Sequence, residues 1–415
     1  MKTLKLGLVI AAAALMVVGF SGAANAFHSG GVAECTGCHS MHTSPAATFL
    51  LVGSDQSSTC LSCHEHAGDT GPSSYHISTA PADMPAGVAP LQRTPGGDFG
   101  WLKKNYTMTV RGTTSTEDGA THGHNIVAAD KGYIADPTNV TAPGGTFTSA
   151  NLACNSCHDP HGKFRRLSDG TIAQSGAPII ASGSYNNSAT PAAGQAVGVY
   201  RLLGGRGFSN TRTAGVNFSV DPPTAVAPST YNQTEVTNQV KVAYGKGMSD
   251  WCANCHTNMH TNSGRLVHPV GQNIGSTIAG NYNSYVKSGD LTGVQTSSYL
   301  SLVPYEENST DYTALKAAAL NNAPTYAGPA SNSQVSCISC HRAHASGWPE
   351  MTRWNNEGEF ITNNGLWPGT DTTPTVPQFA RGRLGAETAA AYYDRPATQF
   401  ATFQRSLCNK CHAKD

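Results

Sequence analysis

Six copies of one five-residue cysteine motif, a composition rich in glycine and proline, and few periodic apolar segments together predict the architecture. They point to one chain of mostly irregular loop structure with a few short α-helices and minimal β-structure. Gly and Pro make up 67 of the 415 residues, which favours turns and loops over long regular elements. Charged residues are 13%, roughly half the usual share for a soluble domain. The formal net charge is zero and no basic tract exists, so nucleic acid is not an expected partner. No block of like charge and no heptad pattern exists, which excludes a charged disordered tail and a coiled coil.

The start of the chain reads as an export signal. Lys2 and Lys5 form a positive region, residues 6–20 are apolar, and Ala24-Asn25-Ala26 is a small-residue cleavage site. About 15 apolar residues are too few to span a bilayer, and no second long apolar run follows. The first cysteine is Cys35, well past the cleavage site, so a lipid anchor there is not expected. Residues 1–26 are therefore read as a cleaved signal peptide and residues 27–415 as one exported domain. Removing Lys2 and Lys5 leaves 24 basic against 26 acidic residues, a formal charge of −2.

All 12 cysteines lie in C-x-x-C-H units. These are Cys35, Cys38 and His39; Cys60, Cys63 and His64; Cys154, Cys157 and His158; Cys252, Cys255 and His256; Cys337, Cys340 and His341; and Cys408, Cys411 and His412. The pattern is that of covalent haem c attachment: two thiols three apart add to the two vinyl groups on one porphyrin edge, and the adjoining His ligates the iron. A disulfide scaffold, structural zinc or a redox dithiol would each explain paired cysteines but not six adjoining histidines. His is 16 of 415 residues, so six such neighbours arise by chance roughly once in 10⁸. The chain is therefore a multihaem cytochrome c, its loops wrapped round a chain of six haems c. One haem serves about 65 mature residues, close to the smallest unit that folds without a staple. Twelve ionised propionates would carry the holoprotein to about −14 on the same formal count.

Ten histidines remain as second axial ligands: His28, His42, His66, His76, His122, His124, His161, His260, His268 and His344. Met is the other common choice, but only Met41 and Met259 lie just after a motif, and each has a His beside it. Reach restricts the pairing. Three residues extend at most about 10 Å, too short to pass round a porphyrin. His42, His161 and His344 each follow a motif His by three residues, so each serves a neighbouring haem or none. A C-x-x-C-H-x-x-H unit thus ties two haems together. If no iron is left for His42 in its own chain, its partner lies in another subunit. The preferred distal set is His42, His76, His124, His161, His268 and His344, followed by His28. His66 and His260 rank lower, lying near their own motifs without the x-x-H spacing.

The motif starts are separated by 25, 94, 98, 85 and 71 residues, and the short first gap places the first two haems side by side. Helices are expected over residues 309–320, over 276–288 ended by Gly289, and from Pro396 with Phe400, Phe403 and Leu407 on one face. No internal repeat beyond the motifs is apparent.

Several longer stretches carry a family resemblance: Phe27-His28-Ser29-Gly30-Gly31, Tyr75-His76-Ile77-Ser78, Gly123-His124-Asn125-Ile126, Cys157-His158-Asp159-Pro160-His161-Gly162, and Cys340-His341-Arg342-Ala343-His344-Ala345. In these the sequence resembles the OmcS-type hexahaem c-type cytochromes, filament-forming extracellular cytochromes of metal-reducing bacteria. The resemblance covers nearly the whole mature chain. It implies bis-His ligation throughout, parallel haem pairs joined by T-shaped contacts, and a homopolymer in which His42 ligates a haem of the neighbouring subunit. The receiving haem in the family is the fifth, here Cys337, Cys340 and His341. It also implies upstream periplasmic and outer-membrane cytochromes as electron donors and extracellular acceptors such as metal oxides. His122 has no counterpart in the family and is left out of the ligand set.

Six-coordinate irons have no open position, so electron transfer and not catalysis is expected, and the resemblance implies that it is extracellular. A monomeric periplasmic shuttle shares the chemistry and differs in assembly. A multihaem reductase would need an open iron, and all six motifs end in His with further His to spare.

Overall fold

The computed structural model describes residues 35–45, 49–66, 68, 75–209, 216–228, 235, 240–259, 270–295, 303–320, 328–406 and 408–413. The signal segment, His28, His260 and His268 lie outside these residues, as does the side chain of His66. The architecture is mostly loop, with short helices and small two- or three-stranded sheets. Among the described residues no helix is long and apolar enough to cross a membrane.

Every motif begins on a helical turn, a natural consequence of two cysteines that must face one way three residues apart. The turns are Cys35–Cys38, Gln56–His64, Cys154–Ser156, Met248–Cys252, Cys337–Cys340 and Cys408–His412. The longest of these begins at Asp55, whose carboxylate accepts from the Ser58 N–H at 2.7 Å as an N-cap.

The helix expected over 309–320 is present as Tyr312–Ala318, opened by Asp311, which accepts from the N–H groups of Thr313 and Ala314. That expected over 276–288 is present as Gly275–Ser284. It stops early because Tyr285 turns extended to bury its ring in the largest core cluster. The helix expected from Pro396 is not formed. A single turn, Ala397–Gln399, gives way to extended Phe400, and helix resumes only at Cys408–His412. Here tertiary pairing overrides the 3.6-residue pattern. Residues 401–405 run beside 360–362, with Ile361 N–H donating to the Gln404 carbonyl and Phe360 bridging Arg405. Phe400 is buried beside Trp367 while Phe403 packs near the surface on Phe360, so the two rings serve different neighbours.

The longest strands form a hairpin, Tyr106–Val110 with Thr113–Glu117, turned at Arg111 and Gly112, both at positive φ. The main core cluster is aromatic: Trp101, Trp348, Trp354, Trp367 and Tyr392 are buried together, with the Trp367 and Tyr392 rings stacked 4.4 Å apart. A smaller cluster of Leu61, Phe99, Ile126 and Tyr133 lies beside the second motif.

Candidate haem sites and their axial histidines

Consecutive motifs are neighbours in space. The Cys60 thiol hydrogen-bonds that of Cys154, and Cys252 that of Cys337. Cys38 lies within electrostatic reach of Cys63, Cys157 of Cys255, and Cys340 of Cys408 and Cys411. Backbone contacts reinforce two of these joints in the same way. Ser57, three residues before Cys60, accepts from Cys154 N–H at 3.2 Å, and Ser249, three before Cys252, accepts from Cys337 N–H at 3.0 Å.

The motif histidines are oriented by backbone carbonyls. Nδ1 of His39, His64, His158, His256 and His341 lies 2.6–3.0 Å from the carbonyl of Phe49, Tyr75, Arg201, Pro143 and Glu350 respectively. With the proton on Nδ1, each ring presents the Nε2 lone pair, the state a metal ligand needs. Burial lowers the His64 and His158 pKa values, which keeps these rings neutral.

Three of the five are matched by a second imidazole. His161 faces His39 with ring centres 6.4 Å apart and planes 6° from parallel. His124 faces His256 at 6.1 Å, and His344 faces His158 at 6.5 Å. Two imidazoles bound to one metal at about 2.0 Å per Fe–N bond would have ring centres about 6.3 Å apart. The donors therefore fit an iron held between two histidines. His124 and His344 also stay neutral, their pKa values pushed down to about 4 and about 3, chiefly by burial. Of the remaining candidates, His76 is buried within electrostatic reach of His64, and His42 is exposed. Among the described residues His42 makes no ring contact with a motif histidine.

His124 and His344 are positioned by one small structure. Residues 123 and 345 form an antiparallel bridge, His124 N–H donates to the His344 carbonyl at 2.9 Å, and His124 Nδ1 lies 2.8 Å from the Ala343 carbonyl. The strands approach too closely for a side chain at Gly123, where a Cβ would sit 2.5 Å from the His344 carbonyl oxygen. Gly97, at φ +89°, is required by the same contact from the other side. His122 has a different role. It is fully buried, with Nδ1 2.9 Å from the Trp101 carbonyl and Nε2 2.7 Å from Glu117 Oε1, so both ring nitrogens are committed.

The first, third and fifth motifs share a clasp, a structural repeat that the sequence reading did not anticipate. In each, the motif His donates Nδ1–H to one residue, the residue after it donates N–H to the next carbonyl along, and the second Cys accepts from an N–H two further on. The acceptors are Phe49 and Leu50 with donor Val52; Arg201 and Leu202 with donor Gly204; Glu350 and Met351 with donor Arg353. Each clasp turns through left-handed residues: Leu50, then Arg201 and Leu202, then Glu350 and Met351, at φ 51–58°. The clasps lie 10, 43 and 9 residues after the motif His, so no fixed spacing announces them.

A doubled C-x-x-C-H family model matches residues 28–69, spanning the first two motifs. The C-type cytochrome OmcS of Geobacter sulfurreducens is 56% identical, and the match covers all of both chains. Two solved structures, of the OmcS nanowires and of the outer membrane cytochrome S filament from that organism, match with a TM-score of 0.85 each. They are 55% and 56% identical, covering 94% of this chain and 100% of theirs. With identity at that level over the full length and the same loop-dominated fold, the chain belongs to the OmcS family of c-type cytochromes.

Proposed function

We propose that this chain is an extracellular electron-transfer protein that holds six haems c between paired histidines and polymerises through His42. Covalently bound haem supplies one-electron chemistry when present. The chain's motif cysteines and histidines would hold it, backbone carbonyls orient the motif rings, and a second histidine at each site would leave no iron open to a substrate. A cytochrome relay follows, in preference to a reductase. The solved OmcS relatives are filaments. Their chains span 94% of this one, which is the share left once 26 of 415 residues are removed as a signal. Both facts support an exported, self-assembling protein. Donation from upstream cytochromes and delivery to metal oxides remain part of the same proposal.

The observation that carries the reading is the direction of the tethers. His344, tied to the fifth motif, faces the third motif's His158, and His161, tied to the third, faces the first motif's His39. Each tether therefore reaches back two sites. His42, tied to the first, has no site two places back in its own chain. In a head-to-tail polymer that site is the fifth of the adjoining copy. The surface around it suits an interface: His42 is exposed, and so are Met41, Phe49, Leu50 and Val52, with Met41 76% accessible.

Electron cryomicroscopy and ferric spin-state spectroscopy of wild type beside His42→Ala test this. Wild-type filaments, with a mutant of separate subunits each carrying one high-spin haem, are expected. Monomers with six low-spin haems in both proteins would favour a periplasmic shuttle and rule out His42 as a ligand in trans.

A further inference from the structure

Two arginines meet one buried carboxylate beside the fifth motif, and two more lie against the same residue. Glu235 accepts from Arg342 Nη1 at 2.9 Å and from Arg353 Nη1 at 3.3 Å, and its backbone carbonyl accepts from Arg395 Nη2 at 3.4 Å. Arg93 joins through its backbone carbonyl, which accepts from Glu235 N–H at 2.9 Å, and pairs its side chain with the half-exposed Asp394 at 2.8 Å. All four arginines and Glu235 are buried. Among these side chains the guanidinium groups outnumber the carboxylates of Glu235 and Asp394.

The charge lies against the haem-attachment residues. Arg342 directly follows His341. Arg353 N–H donates to the Cys340 carbonyl at 2.8 Å, and its Nε donates to the Ile338 carbonyl, inside the motif, at 2.8 Å. Burial would raise the Glu235 pKa, but the field of Arg342, Arg353 and Arg395 outweighs it and holds the carboxyl below its ordinary value. A buried group of guanidinium charges stabilises negative charge placed beside it.

We infer that this arginine cluster raises the reduction potential of the fifth haem site. Reducing that site by one electron, taken from a neighbouring site that is oxidised in turn, adds one negative charge next to two guanidinium groups. The inference rests on the haem reading above and adds that the site expected to receive His42 is also the one tuned to retain an electron.

The test is a stepwise potentiometric titration of the six-haem protein with two substitutions of opposite sign. Glu235→Gln should raise the potential of one component, about a sixth of the haem absorbance, and Arg342→Gln should lower the same component. Each change should be at least tenfold in the reduction equilibrium, about 59 mV for one electron. A purely structural role would lower thermal stability in both variants without moving the potential in opposite directions. Where Arg342→Gln fails to load six haems, Arg395→Gln removes a cluster charge away from the motif and should lower the component likewise. Six loaded haems whose potentials ignore the substitutions, or shift the same way in both, overturn the inference and leave electron transfer intact. A mass showing fewer than six haems in the wild type overturns the haem reading, and this inference with it.

Discussion

Replacing His344 by Ala probes the proposed ligation at a position where its ties can be separated. The ring faces His158 at 6.5 Å, stacks on Phe99 at 4.7 Å, and has Nδ1 3.4 Å from the Gly97 carbonyl. Cys154, Cys157 and His158 are untouched, so the third haem should remain attached. It loses only its sixth ligand, and about one-sixth of the ferric iron should become high-spin. The structural cost is small by comparison: loss of one aromatic contact is about 1 kcal/mol, and a hydrogen bond as long as 3.4 Å contributes little. The fold should therefore survive, and added imidazole should restore the low-spin signal. His344→Met should stay low-spin while the potential of that site rises, because thioether ligation favours the ferrous state. Integrated electron paramagnetic resonance spectra give the fraction directly. Combining His344→Ala with His161→Ala should double it, since the two tethers face different motif histidines. Six low-spin irons in the single variant would refute the ligand role. A double variant with no larger fraction would show that both tethers serve one iron.

His122→Ala should leave every iron low-spin yet destabilise the fold by roughly 1–3 kcal/mol, because Glu117 loses a buried partner; spin state and thermal unfolding measured together separate this from ligand loss. Burial raises the Glu117 pKa, but hydrogen bonds from His122 and Arg383 and the Arg383 charge outweigh it and bring it from an ordinary 4.5 to about 2. A depressed carboxylate contributes stability that is fully present above pH 4.5 and lost as pH falls through 2, here about 3 kcal/mol, and acid unfolding of Glu117→Gln should lack that component of the pH dependence. Glu350→Gly should stabilise by about 1 kcal/mol, since the exposed side chain sits at φ 54° while the carbonyl that orients His341 is retained; a lower denaturation midpoint would contradict the clasp as a strained turn.

The chemistry was legible because it is covalent and local. A thiol pair and an adjoining His must sit within five residues, so Cys154, Cys157 and His158 announce themselves whatever surrounds them. The x-x-H tethers were legible for the same reason, since three residues cannot carry His161 round its own ring. What escaped were partners fixed by tertiary contact. Arg201 clasps His158 from 43 residues away and Glu350 clasps His341 from 9, with no residue type in common. What the clasps share is a backbone carbonyl and a left-handed turn, which any side chain can provide at a modest strain. The expected helix from Pro396 failed similarly: its apolar spacing was real, but Gln404 hydrogen-bonds Ile361 and Thr362 in place of its own helix.

A chain this rich in loops can still hold its sites in register because the fixed points do not depend on the loops. The tethers of His161 and His344 are three residues long, and each His stands opposite a histidine two motifs earlier, so the proposed ligation would set the spacing between those sites by a short peptide and one shared metal. The long intervals between motifs need only return the chain to the next clasp, which explains how 94, 98, 85 and 71 residues can separate motifs that are spatial neighbours. The first clasp is the exception that gives the series its direction. Its turn, Phe49 and Leu50, lies at the surface, whereas Leu202 and Leu203 of the third motif's clasp are buried. Its tether, His42, faces no motif histidine among the described residues. In the proposed polymer, His42 with its exposed apolar neighbours at one end and the fifth site at the other would be the two halves of one joint. Every copy carries both halves, so such a joint can repeat head to tail, and it would build a filament, as in the solved relatives, wherever the rotation between copies does not close a ring.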